Sequence, residues 1–118
     1  MSLEALLWAG RLPLSTCSHT AFRVLMLYAD RADQLGYSAW HTEQHLADVL
    51  GCSTRTIRRA RAELCEVGLM RQGDQRLLEH RRGDRRPVVY DVLTPALQFH
   101  EQLRGDILVH PSFSRGDK

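Results

Sequence analysis

Four arginines, Arg55, Arg58, Arg59 and Arg61, stand within seven positions of the stretch CSTRTIRRARAEL at residues 52–64. A guanidinium is a planar fork of donors that matches phosphate or the O6 and N7 edge of guanine, so this density points to a polyanionic partner. Ser53, Thr54 and Thr56 lie at the same end of the stretch. A second set, Arg81, Arg82, Arg85 and Arg86, flanks a Gly-Asp pair in RRGDRR. Nothing comparable points to covalent chemistry. There is no nucleotide-binding glycine loop and no segment like a nucleophile elbow, so neither an enzyme nor a cofactor is expected. His41 and His45 bracket Glu43, but a zinc-protease helix needs Glu directly after the first His, where Thr42 stands. No metal is expected.

The charge is segregated. Residues 54–86 hold ten arginines against five acids, whereas the rest of the 118-residue chain holds six basic residues against nine acids. The total of +2 conceals this, and a basic segment on a small domain fits a nucleic-acid partner. Fifteen of the 16 basic residues are Arg. Three cysteines, Cys17, Cys52 and Cys65, make no CxxC pair; an odd number with no secretory signal predicts a reducing, cytoplasmic setting without disulfides. The apolar runs, such as residues 24–27, are too short to span a membrane. Arg-Gly-Asp occurs three times, but an adhesive role requires secretion.

The elements that must position these arginines follow from periodicity. Residues 2–9 form a short amphipathic helix with Leu3, Leu6 and Leu7 on one face. After Gly10 and Pro13 comes a core-facing helix through Phe22, Leu25, Met26, Ala29 and Ala32, with Gly36 as its stop. The aromatic YSAW at 37–40 suits a small strand. Thr42 caps a helix from Glu43, with Leu46, Ala47 and Leu50 inward, and Gly51 turns the chain. Ser53 caps the arginine helix, and Gly68 ends it with Leu69 packing back. Period two then takes over. RLLEH at 76–80 and PVVYDVL at 87–93 are strand candidates around RRGDRR, the second with Val88, Tyr90 and Val92 on one face. Pro95 opens a last helix with Ala96, Phe99 and Leu103 aligned, and the final HPSFSRGDK reads as a frayed tail.

Two helices joined by three residues, with a small Ala47, a turning Gly51 and an anchoring Ile57, meet the demands of a helix-turn-helix. At 3.6 residues per turn, Ile57, Ala60, Leu64 and Val67 form the inner stripe. Arg55, Arg59 and Ala62 point away, with Arg58 on their flank and Arg61 nearer the buried edge. The outer face is cationic toward its N-terminal half, the half that enters the major groove when such a helix docks on DNA.

The stretch LADVLGCSTRTIRRARAELCEVGLM resembles the winged helix-turn-helix pattern of bacterial, plasmid and phage DNA-binding proteins, among them replication-initiator-like and repressor-like members, with Cys52 where an aliphatic residue is usual. The resemblance covers about residues 13–93. It implies an α+β fold with a three-helix core, a β-hairpin wing and short terminal helices. It implies that residues 53–59 read the major groove and that Arg81, Arg82, Arg85 and Arg86 form a wing on the backbone or minor groove. The expected DNA-binding set is thus Ser53, Thr54, Arg55, Thr56, Arg58, Arg59 and Arg61 with those four wing arginines. The chain divides into an N-terminal segment at 1–12, the DNA-binding domain at 13–93 and a C-terminal helix and tail at 94–118. The expected function is sequence-specific binding of double-stranded DNA as a transcriptional regulator or plasmid or phage accessory factor. A homodimer through the terminal helices is expected. The alternatives are a replication-initiation or partition factor, and a winged helix serving as a protein-protein module.

Overall fold

The computed structural model describes residues 3–81 and 86–108. Five helices and three short strands follow in the order α1 (Leu3–Gly10), α2 (His19–Arg31), β1 (Ala39–Trp40), α3 (Glu43–Leu50), α4 (Thr54–Glu66), β2 (Met70–Gln72), β3 (Val89–Val92) and α5 (Pro95–Leu108). The fold is α+β.

Local chemistry sets most of the boundaries. Ser18, Thr42 and Ser53 each sit in extended backbone and accept a first-turn amide, from Ala21, His45 and Thr56 respectively. Gly51 takes the left-handed conformation (φ 70°) that a side chain disfavours, and Cys52 N–H donates back to the Ala47 carbonyl at 3.0 Å. The end of α4 is closed in the same way: Leu69 N–H bonds Leu64 O at 2.9 Å and Gly68 N–H bonds Cys65 O at 3.2 Å. Leu69 is buried there, as expected.

The sheet has the order β1-β3-β2 and is antiparallel throughout. Ala39 pairs with Tyr90 on one side, and Met70, Arg71 and Gln72 pair with Val92, Asp91 and Tyr90 on the other. Because β3 is central, all four of its residues are buried, not only the Tyr90 and Val92 face. The core runs from α2 through α3 and α4 to the sheet: Val24, Leu25 and Tyr28 meet Leu46, Ile57, Leu64 and Met70.

Four expectations are corrected. First, α2 stops at Arg31, not near Gly36. Asp33 Oδ1 accepts the amides of Leu35, Gly36 and Tyr37, each at 2.9 Å, and so competes with the helix for its backbone. Gly36 (φ 120°) serves elsewhere: its carbonyl takes Val92 N–H at 2.7 Å, and a Cβ there would collide with the Val92 carbonyl oxygen. Second, residues 76–80 are not a strand; a 3-10 turn covers Gln75–Leu78. Third, Val67 is exposed because α4 ends at Glu66. Fourth, the terminal helices dock by other faces than their leucine periodicity suggests. Helix α1 lays Ala5 and Ala9 on α2, leaving Leu3 61% and Leu7 48% exposed. Helix α5 buries Leu97, leaving Ala96, Phe99 and Leu103 exposed. Ala9 belongs to the same core cluster as α2 to α4, so α1 is continuous with the domain. The expected frayed tail at 110–118 lies outside the described residues.

Candidate nucleic-acid interface

Helix α4 is held from behind and open in front. Ile57, Ala60 and Leu64 are buried against α2 and α3. Ser53, Arg55 and Arg59 are exposed, and Thr54 and Thr56 half-buried. Ser53 Oγ accepts Thr56 N–H at 3.1 Å and lies 3.0 Å from Thr56 Oγ1, so these two hydroxyls fix the start of α4 together. Arg55 and Arg59 have no ion pair or hydrogen bond among the described residues, and their guanidinium forks are available to a ligand. Arg58 is also exposed, but its Nη1 donates to Glu43 Oε1 at 2.8 Å.

Arg61 departs from the expected DNA-binding set. Four positions beyond Ile57, it lies only about 40° from that anchor around the helix, and it is 8% exposed. Its Nη2 is paired with Glu43 Oε2, and its guanidinium lies 5.5 Å from the Tyr90 ring centroid. The Tyr28 hydroxyl is beside it; burial pushes that phenol up in pKa, and the Arg61 charge partly offsets the rise. Tyr28 Oη and Arg61 Nε both lack a partner in good hydrogen-bond geometry. This arginine is a tie between α3, α4 and β3, and it faces the core instead of the groove. Glu43 is the residue that sequence reasoning missed. Its acid in the first turn of α3 looks like ordinary dipole compensation, and its two arginine partners are visible only in the fold.

The wing leaves β2 and returns to β3. Its stem is organised by Gln75, whose Nε2 donates to the Gly73 and Val89 carbonyls and whose Oε1 accepts Val89 N–H, all at 2.8 Å. The side-chain amide thus takes the Val89 N–H, while the Val89 carbonyl also accepts Gly73 N–H at 2.8 Å. Arg81 lies over the Trp40 ring, 4.7 Å from its centroid, and Arg86 Nη2 donates to the carbonyls of Glu79 (2.8 Å) and Arg81 (2.7 Å). Both are exposed, yet Arg81 braces the stem against β1 and Arg86 ties the returning strand to residues 79–81. Arg82 and Arg85 lie outside the described residues.

The histidine pair has a structural setting. His41 is buried, with Nε2 2.9 Å from the Leu27 carbonyl, its ring edge-on to Tyr28 and stacked on His45. Burial lowers its pKa, the bond to Leu27 opposing in part. Among the described residues, no group of three or more His, Cys, Asp or Glu could hold a metal ion, and no helix is long and apolar enough to cross a membrane.

No curated protein matches the chain. Residues 18–70, from the cap of α2 to the first residue of β2, match the family model described as a helix-turn-helix domain. This match makes residues 18–70 a helix-turn-helix domain, and with the Gly51 turn, the Ser53-capped arginine helix and the three-stranded sheet it is consistent with an α+β fold of the winged helix-turn-helix kind and supports DNA binding in general.

Proposed function

We propose that the chain is a sequence-specific duplex-DNA-binding protein, not an enzyme, acting as a transcriptional regulator or a plasmid or phage accessory factor. The N-terminal half of α4 enters the major groove, with Arg55 and Arg59 at base edges and Arg58 on the flank. The wing lies on the backbone or minor groove. The observation that carries this reading is the pair of exposed, unpartnered arginines at the capped end of α4. An arginine recruited only for solubility has no reason to cluster there with others of its sign. Selection from a random duplex pool tests it: an enriched motif is expected, and a pool that stays random overturns sequence-specific binding.

One winged helix reads only a few base pairs, too little to define a site in a genome. We therefore propose that two copies bind a repeated or palindromic site through the exposed faces of α1 and α5, where Leu3, Leu7, Phe99 and Leu103 remain uncovered. Sedimentation at micromolar concentration checks this. A dimer is expected, and a 13.5 kDa monomer with and without DNA overturns it.

A further inference from the structure

We infer that the N-terminal end of α2, through Arg23, is a second phosphate-binding flank of the DNA interface, on the side of α4 away from the wing. The inference rests on the DNA reading above. A helix with its side chains is about 10–12 Å across and the major groove about 12 Å wide, so a helix seated there brings a row of phosphates to each of its flanks. On one flank of α4 stand the start of α3 and the wing stem, where Arg58 meets Glu43. The other flank, through Thr56, Arg59 and Glu63, faces α2.

An open groove of about 240 Å³ runs along that second flank, lined by His19, Thr20, Arg23, Leu50, Cys52 and Thr56. It shares Thr20 and Thr56 with a smaller recess that reaches Arg59 and Glu63. His19, Thr20 and Arg23 are exposed, and their side chains make no hydrogen bond or ion pair among the described residues. The groove therefore offers a guanidinium fork, a hydroxyl and an imidazole beside the DNA-facing end of α4. The one acid lining either recess, Glu63, is already engaged: its carboxylate accepts Ser18 N–H at 2.7 Å and Ser18 Oγ–H at 2.8 Å. That contact clamps the start of α2 onto α4 and ties both carboxylate oxygens to Ser18. The arrangement suits one occupant, the sugar-phosphate backbone of a duplex whose major groove holds α4. Arg23 takes phosphate oxygens as a fork, and Thr20 and His19 supply single donors.

The test combines phosphate-ethylation interference with salt titration on a duplex recovered by the selection above, using the full chain and the variants Arg23→Ala and Arg23→Lys. Two protected rows of phosphates are expected with the unaltered protein. Arg23→Ala should lose the row away from the wing, weaken selected and random duplexes by the same factor, and make the salt slope shallower by about 0.9. Arg23→Lys, which keeps the charge, should retain the slope. Melting curves of both variants should match the parent, because Arg23 is exposed and unpaired. An unchanged slope and an intact row in Arg23→Ala overturn the second flank while leaving DNA binding by α4 in place. A parent protein that binds no duplex at any salt overturns the DNA reading itself.

Discussion

Arg59 and Arg61 are two residues apart on one helix and carry the same side chain, yet they occupy opposite environments. Arg59 stands in solvent without a partner, whereas Arg61 is enclosed by Glu43, Tyr90 and Tyr28. Two residues turn a helix through more than half a revolution, so the difference is one of phase. Its lesson is that the charge of α4 serves two ends. On the outer face it is left uncompensated and is free for a polyanion. On the inner face it is compensated by a carboxylate and an aromatic ring, and it fixes α4 against α3 and β3, which leads into the wing. Arg58 stands between these limits, exposed but sharing Glu43.

The largest effect should come from the inner face. Arg61→Ala leaves a void beside Tyr28 and Tyr90 and removes the main partner of a half-buried Glu43, so unfolding free energy should fall by about 3 kcal/mol in denaturant titration. Arg61→Met, which refills the space, should recover most of that loss. The folded fraction of either variant should still bind DNA. Intact stability with abolished binding would invert the comparison and return Arg61 to the reading face.

Outer-face changes should do the reverse. Arg55→Ala and Arg59→Ala should each weaken binding to the preferred site by roughly 1–3 kcal/mol and relax base preference, while shifting stability by no more than about 0.5 kcal/mol. Equal loss on selected and random duplexes would mean that these arginines touch phosphate alone.

Ser53→Ala sharpens the comparison at the point where both faces begin. Loss of the bond to Thr56 N–H should cost about 1 kcal/mol of stability, read as a lower denaturant midpoint. A midpoint equal to the parent's would show that the Thr56 hydroxyl or water takes over the cap.

The smallest effect is expected from pH. His41, like Arg61, is a titratable group on the buried side, and burial holds its pKa below the usual value of about 6.5. The unfolded chain then takes up a proton before the folded one does. Its contribution is complete above about pH 6.5 and is lost as pH falls from there toward the folded value. Denaturant midpoints at pH 7.5 and 5.5 should differ less in His41→Gln than in the parent. An equal difference would mean that His41 is protonated as readily folded as unfolded.

The helix-turn-helix was legible because its determinants are near neighbours in the chain. Ser53, Gly51, Ala47 and Ile57 act within a few residues of one another, and the caps at Thr42 and Ser53 were readable for the same reason. Residues 76–80 alternate as a strand would, but the Val89 N–H that would extend the ladder is taken by a side chain, Gln75, from fourteen positions away. Helix α2 ends short of Gly36 because Asp33 gathers three backbone amides before that glycine is reached.

By itself the sequence determined the helical phase, the caps, the turn and the excess of arginine along α4, since each depends on bonds or spacings within one or two turns of chain. Only the tertiary structure decided which arginines remain available. That choice depends on Glu43, eighteen positions before Arg61, and on Tyr90 from the far side of the wing. It also depends on the docking of α2, which brings His19, Thr20 and Arg23 beside Thr56. A charge is free or compensated according to what the fold packs against it, because desolvation and pairing act through space and leave no periodic trace in the chain.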